Sequence, residues 1–356
     1  MRRRLSPVQA PRCETVCGSG RIALAALLIV AGCSAAPRYA GPRTDHWNGR
    51  AFHNLGPFED PGVEDVFKWK LSGPPAVPWP DFADIPPAPP PPARVTEGIR
   101  VTFINHATVL VQMGGVNVLT DPVWSPTIGL TSVLGQKRHK PPGIPFDALP
   151  HIDVVLISHN HYDHLDLPTL QRLQARDAPL VIAGLGTARF LRDHDIPHAL
   201  DLDWWQSHEQ GGLRITFAPA QHWSTRIGLD RNRNLWGSYF LAAGDRTVYF
   251  AGDTGGGPHF RMVRARLGAP EVALLPIGAY MPRWFMRSQH IDPSEAVAAH
   301  ILLGARRSVA IHWGTFRQAD EGMNDPPADL ERARKAWGIA PESFVALENG
   351  QGIAIP

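Results

Sequence analysis

A short apolar run, Val154–Ile157, empties directly into Ser158-His159-Asn160-His161-Tyr162-Asp163-His164. This junction constrains the chain more than any other. Four consecutive branched aliphatic residues read as a buried strand, and the polar stretch behind them must sit at the strand's exit. Three imidazoles and a carboxylate within six residues are poorly explained as a solvated loop. Neutral imidazole is the commonest metal ligand, and carboxylate suits the same ions. In an extended loop, His159 and His161 can face one ion while Asp163 and His164 turn toward a second.

Around this junction, short apolar segments alternate with turn signals and single helical stretches. Strands are expected at Ile99–Ile104, Thr108–Gln112, Val116–Leu119, Val154–Ile157, Leu180–Ala183, Leu213–Phe217, Ser238–Leu241, Thr247–Phe250, Val272–Leu275, Ser308–Ile311 and Phe344–Leu347. Helices are expected at Leu167–Ala175, Thr187–His194, Pro293–Leu303 and Pro327–Trp337. Pro293 suits a first helical turn and Gly304 a helix end. Strands punctuated by single helices predict two mixed sheets with helices outside, a four-layer αβ/βα sandwich.

The region before Ile99 is of another kind. Arg2, Arg3, Arg4, Arg12 and Arg21 precede the apolar run Ile22–Ala31, which is too short to span a bilayer and fits an export signal. It ends in Val30-Ala31-Gly32-Cys33, which resembles a bacterial lipobox with Cys33 as the lipidated residue. Cys13 and Cys17 would leave with the signal, so a lone Cys33 would remain and no internal disulfide could form. Residues 1–32 are therefore expected to be a lipoprotein signal peptide and 33–98 a Pro-rich segment. Residues 99–356 are expected to form the catalytic domain. The run Pro86-Pro87-Ala88-Pro89-Pro90-Pro91-Pro92 favours polyproline II and reads as a stiff spacer. Trp47, Phe52, Phe58, Phe67, Trp69 and Trp79 are too apolar for a free tether, so parts of this segment should pack on the domain. Ser34 stands where inner-membrane retention would favour aspartate, which points to the outer membrane and its periplasmic face. A net charge of +2 gives no reason to expect a nucleic-acid partner. Oligomeric state is open.

His-x-His-x-Asp-His after an apolar strand resembles the metallo-β-lactamase family. The resemblance implies three further metal ligands. His222 would complete the first site, Asp253 would bridge both ions, and His312 would complete the second, each just past a candidate strand. Leu235-Trp236-Gly237-Ser238, Ile277-Gly278-Ala279-Tyr280, Pro282-Arg283-Trp284-Phe285-Met286, His290-Ile291-Asp292-Pro293 and His312-Trp313-Gly314-Thr315-Phe316 narrow the likeness. With Asn105-His106-Ala107-Thr108 and Thr120-Asp121-Pro122, they resemble N-acylphosphatidylethanolamine-hydrolysing phospholipase D, roughly from Gly98 to Gln351.

That likeness implies two zinc ions per chain sharing Asp253 and a bridging hydroxide that attacks phosphorus. Asp163 and Asp253 would serve the chemistry, and His290 would act as a supporting or general-acid residue unless it merely caps the helix at Pro293. Gln289, Arg283 and Trp284 are candidate substrate contacts, with Arg287 a further phosphate candidate. Trp284, Phe285 and Met286 would line an acyl channel or simply pack. His106 is expected to support the site without binding metal. The same hydroxide would attack carbonyl carbon equally well, so a lactonase or other esterase remains an alternative. A non-catalytic envelope lipoprotein whose metal only stabilises the fold is another.

Overall fold

The computed structural model describes residues 35–59, 61–73, 75–131 and 135–356. The signal segment and Cys33 lie outside the described residues. Two seven-stranded sheets face each other. The first holds β1 (Ile99–Asn105), β2 (Thr108–Met113), β3 (Val116–Thr120), β6 (Val154–Leu156), β7 (Leu180–Gly184), β8 (Ala199–Leu202) and β16 (Gly352–Ile355), in the order β16-β1-β2-β3-β6-β7-β8. The second holds β9 (Ser207–Gln210), β10 (Leu213–Ala218), β11 (Ser238–Ala243), β12 (Arg246–Phe250), β13 (Val272–Pro276), β14 (Arg307–Ile311) and β15 (Phe344–Val345), in the order β15-β14-β13-β12-β11-β10-β9. A small ribbon pairs β4 (Thr127–Ile128) with β5 (Gln136–Lys137).

Each sheet is antiparallel on one side and parallel on the other. In the first, β16, β1, β2 and β3 pair antiparallel, whereas β3, β6, β7 and β8 run parallel. In the second, β9 to β12 pair antiparallel and β12 to β15 run parallel. Parallel neighbours need crossovers; helices supply them except between β3 and β6, where the connection carries β4 and β5. The helices within the described residues are α1 (Val63–Ser72), α2 (Leu167–Asp177), α3 (Thr187–Arg192), α4 (His259–Leu267), α5 (Arg283–Met286), α6 (Pro293–Leu303) and α7 (Asp325–Trp337).

Side-chain alternation decides what each strand contributes. On β6, Val154 and Leu156 enter the core between the sheets with Val101, Phe103, Phe217 and Tyr239. Val155 and the following Ile157 face outward, onto Leu170 and Leu173 of α2 and Phe190 of α3. A strand covered on both faces must be apolar throughout, which is why this segment reads as an uninterrupted run. Burying each such side chain stabilises the fold by roughly 1.5–3 kcal/mol before entropy is counted. The expected sandwich is the one observed. Helix α6 begins at the capping box of Asp292 and Glu295, whose side chains and backbone amides bond reciprocally, and ends at Gly304 with φ +65°.

The proline tract does not stand off as a spacer. Gly143 O accepts from Ala88 N, Gln112 Nε2 donates to Pro92 O, and Asn117 Nδ2 donates to Ala93 O. Polyproline II leaves its own carbonyls free, so a neighbouring sheet's amide side chains can take them and fix the strand-like tract to the body. Trp47 and Phe52 join the main core. No helix among the described residues is long and apolar enough to cross a membrane.

Candidate metal centre

The parallel strands of both sheets end at the same edge, where loops from separate strands can converge. From the first sheet come Asp121 after β3 and the His159–His164 loop after β6. The second supplies His222 after β10, Asp253 after β12 and His312 after β14. Asp253 Oδ2 lies at the middle. It is 3.2 Å from His164 Nε2 and 3.1 Å from His312 Nε2. Nε2 of His159, Nε2 of His222 and Nδ1 of His290 each lie 3.9 Å from it.

Two groups form around this carboxylate. His161 Nδ1 lies 2.7 Å from His159 Nε2 and 3.4 Å from His222 Nε2. Asp163 Oδ2 lies 3.1 Å from His164 Nε2 and 3.5 Å from His312 Nε2. A tetrahedral ion with bonds of about 2.0–2.1 Å has ligand–ligand edges of about 3.3 Å, so these separations are those of coordination shells. His164 Nε2, His312 Nε2 and Asp253 Oδ1 are buried without a hydrogen-bond partner. Orphaned buried donors and acceptors are costly, and a bound cation is the ordinary way to satisfy such a set. The donor set therefore fits metal.

Electrostatics point the same way. Burial disfavours charge on His164, but the carboxylates of Asp253, Asp163 and Asp121 outweigh it and raise the imidazole well above its ordinary pKa. His312 is likewise opposed by burial and raised to about 9, chiefly by Asp253 and Asp163. Burial would raise Asp163 and Asp253, yet His164 and its neighbours hold both well below the usual carboxylate range. His161 and His222 are pushed down to about 3, principally by burial. The centre demands positive charge and offers neutral imidazoles beside it. Metal binding would supply that charge and release protons.

The supports are equally specific. Asp121 accepts from Ser158 N at 2.7 Å and Ser158 Oγ at 2.6 Å, and its Oδ2 lies 2.6 Å from His164 Nδ1. His222 Nδ1 lies 2.9 Å from Gln289 O. Both contacts fix a ring so that its Nε2 points inward. His106 Nε2 lies 2.9 Å from Asp163 Oδ2, and Gln318 Nε2 donates to the same oxygen at 2.7 Å. His106 also stands in a group with Asp163, His164 and His312 close enough to hold an ion. Its ring is thus engaged with Asp163 and lies within reach of the same ion site.

Backbone strain gathers here. His106, Asp121, Ala279 and His312 take positive φ values of +46°, +33°, +61° and +60°. Non-glycine residues in this region cost about 1–3 kcal/mol each and persist only where surroundings impose them. His312 is held by its N–H to His106 O at 2.7 Å. Gly252, at φ +60°, lets Asp253 approach the histidine loop, because a Cβ there would lie 2.6 Å from Ser158 Cβ.

A cavity of about 380 Å³ opens onto the centre. His161, Asp163, Asp253, Gln289 and His290 form its polar wall; Ile128, Trp223, Phe285 and Met286 form its apolar wall. Burial holds His290 down to about 3, so its ring is neutral, and Nδ1 has no hydrogen-bond partner. The cap on α6 is Asp292, not His290. Arg283 and Trp284 do not reach this cavity. The Arg283 guanidinium donates to Glu295 Oε2 at 2.7 Å and His290 O at 2.9 Å and lies 3.4 Å from Asp292 Oδ2. Two carboxylates and a carbonyl at the start of α6 thus engage its charge in place of phosphate. Trp284 packs edge-on to Phe285 and faces outward. The Arg287 side chain is exposed, with Nε 3.8 Å from Glu295 Oε1.

Among the wall residues that the sequence reading left unassigned, three stand out. Arg226 is buried, donates to Asn160 O and Leu165 O, and lies 3.7 Å over the Tyr162 ring, bracing the histidine loop. Gln318 and Trp223 complete the set. None sits in a local pattern that marks it; only Trp223, next to His222, could have been found by adjacency.

Comparison with known proteins agrees with this geometry. Residues 116–313 match the Beta-lactamase superfamily domain. The chain belongs to the metallo-β-lactamase superfamily. Over 269 residues it is 37% identical to N-acyl-phosphatidylethanolamine-hydrolyzing phospholipase D 1 of Caenorhabditis elegans, covering 71% of this chain and 75% of that protein. Identity is 34% over 244 residues to the mitochondrial N-acyl-phosphatidylethanolamine-hydrolyzing phospholipase D of Saccharomyces cerevisiae, covering 67% of this chain but only 52% of the yeast protein. Among solved structures, the isothiocyanate hydrolase from Delia radicum gut bacteria shares the fold, with a TM-score of 0.58, 20% identity, and coverage of 72% and 98%. This superfamily member is a metal-dependent hydrolase whose His/Asp clusters can bind metal.

Proposed function

We propose that this hydrolase holds two zinc ions and cleaves the phosphodiester of N-acylphosphatidylethanolamine or a related phospholipid, releasing phosphatidic acid and an N-acylethanolamine. The observation that carries the reading is the two-walled cavity: a metal-ligand floor beside Phe285, Met286, Trp223 and Ile128 suits a charged headgroup joined to apolar chains. Similarity to two phospholipases D of this substrate class supports it.

His159, His161 and His222 would hold one ion, Asp163, His164 and His312 the other, with Asp253 shared. Metal ions in such a pair lower the pKa of water and neutralise charge developing on phosphoryl oxygens. The chain's own residues do the rest. Asp121 and the Gln289 carbonyl fix the rings of His164 and His222, so the donor set is organised before substrate arrives. A neutral His290 ring is suited to orienting a phosphoryl oxygen by donating a hydrogen bond, a better match to its low pKa than giving up a proton. The apolar wall excludes water from the scissile bond. Acylation at Cys33 would keep the enzyme at the envelope membrane that contains its substrate.

Purified protein loaded with zinc should release both products from N-acylphosphatidylethanolamine micelles, followed by mass spectrometry. Release no greater than that of Asp253→Asn would end the phospholipase reading. A parallel panel of lactones and simple esters would then find the bond that is cut.

A further inference from the structure

Helix α1 is amphipathic in the wrong sense for a soluble surface. Trp69 turns inward, donating Nε1 to Asp320 Oδ2 and stacking on Phe285 at 4.8 Å. The opposite side carries Val63, Val66, Phe67 and Leu71, at positions spaced to share one helical face. Phe67 is 62% exposed and Leu71 81%. Next to it Trp284, 49% exposed, lies under Lys68 Nζ at 4.8 Å. Contiguous exposed aromatic and aliphatic side chains interleaved with lysine mark an interaction surface.

We propose that this face docks on a lipid bilayer and sets the cavity against it. The inference rests on the phospholipid reading above and adds a surface to it. Three observations choose a bilayer over another protein. First, the face adjoins the cavity wall, because Lys68 lies over Trp284, which packs on Phe285, and Phe285 lines the cavity. Second, Lys68, Lys70 and the exposed Arg287 sit among the apolar residues, which suits headgroup phosphates. Third, another border of the same cavity presents an exposed apolar side chain. Ala36 N donates to Asp230 Oδ2 at 2.7 Å, in the loop that supplies Thr225 and Arg226 to the cavity and presents Leu229, 83% exposed.

The test uses the full chain and vesicles of phosphatidylcholine and phosphatidylglycerol, with and without brominated acyl chains, so no turnover is needed. Brominated lipid should quench the wild-type tryptophan emission, and Trp284→Phe should remove most of that quenching. The exposed-site double variant Phe67→Ser/Leu71→Ser should weaken vesicle partitioning about tenfold or more, with an unchanged melting temperature. Equal quenching in wild type and Trp284→Phe would overturn the proposal, since attachment would then run through other residues alone. So would a wild-type dimer that becomes monomeric in the double variant without any quenching, which would assign the face to a second copy. Quenching without phospholipid hydrolysis would remove the phosphodiesterase reading and leave the docking face; hydrolysis without quenching would do the reverse.

Discussion

The two sheets build their shares of the centre differently. The first delivers four side chains, His159, His161, Asp163 and His164, from one loop after β6. The second delivers three from three separate strand ends, His222, Asp253 and His312, more than thirty residues apart at each step. The strand pattern is the same in both sheets, antiparallel on one side and parallel on the other. Local density is therefore not a requirement of the architecture. What both halves share is the strand end, and the dispersed half works only because the sheet brings those ends together.

The strongest way to break this comparison is to remove one member from each half. Asp253→Asn and His164→Ala should each lower turnover by about a thousandfold or more, since the first removes the carboxylate between the two clusters and the second a ligand from the histidine loop. Steady-state hydrolysis with matched metal loading measures it. A mild effect of Asp253→Asn beside a severe one of His164→Ala would mean the histidine loop works alone.

Next in size is the supporting layer. Asp121 ties β3 to the histidine loop through Ser158 and His164. Asp121→Asn should weaken metal affinity by about 10–100-fold, read by competition with a chromophoric chelator. Unchanged affinity would show that the loop holds its shape without the first sheet's neighbouring strand.

Arg283 sharpens the contrast between wall and scaffold. Its bonds to Glu295, Asp292 and His290 O are structural, so Arg283→Met should cost roughly 1–2 kcal/mol and lower the melting temperature by a few degrees. KM should change by less than about threefold. A large rise in KM would return Arg283 to the substrate.

The smallest effect concerns the N-terminal segment. His46 is buried, which disfavours its charge, but Asp203 and then Asp45 outweigh burial and raise its pKa above 6.5. A raised folded-state pKa stabilises fully below the unfolded value and loses that contribution as pH rises through the folded one. Amide exchange near Trp47 and Phe52, corrected for intrinsic rates, should therefore increase on moving from acidic to alkaline pH. His46→Gln should flatten that dependence.

The same contrast explains what could be read before folding. Core strands such as β6 and β13 announce themselves because both faces are buried, leaving unbroken apolar runs. Edge strands do not: β9 is Ser207–Gln210, polar throughout, and β8 carries Asp201 among its four residues. Helix α4 hides because it is short and buries only His259, Phe260 and Val263, and α1 because its outward side is the apolar one. In the centre, the loop after β6 was legible from its own residues. His222, Asp253 and His312 were legible only through resemblance, since a lone histidine past a strand says little. Arg283 misled because nothing local reveals that Glu295, twelve residues on, takes its charge.

On the proposed function, both sheets jointly grip a pair of ions. Anomalous diffraction from crystals of the zinc-loaded protein addresses it most directly. The account predicts two peaks about 3.5–4 Å apart, both within bonding distance of Asp253. A single peak held by the histidine loop, with Asp253 and His312 turned away, would contradict it.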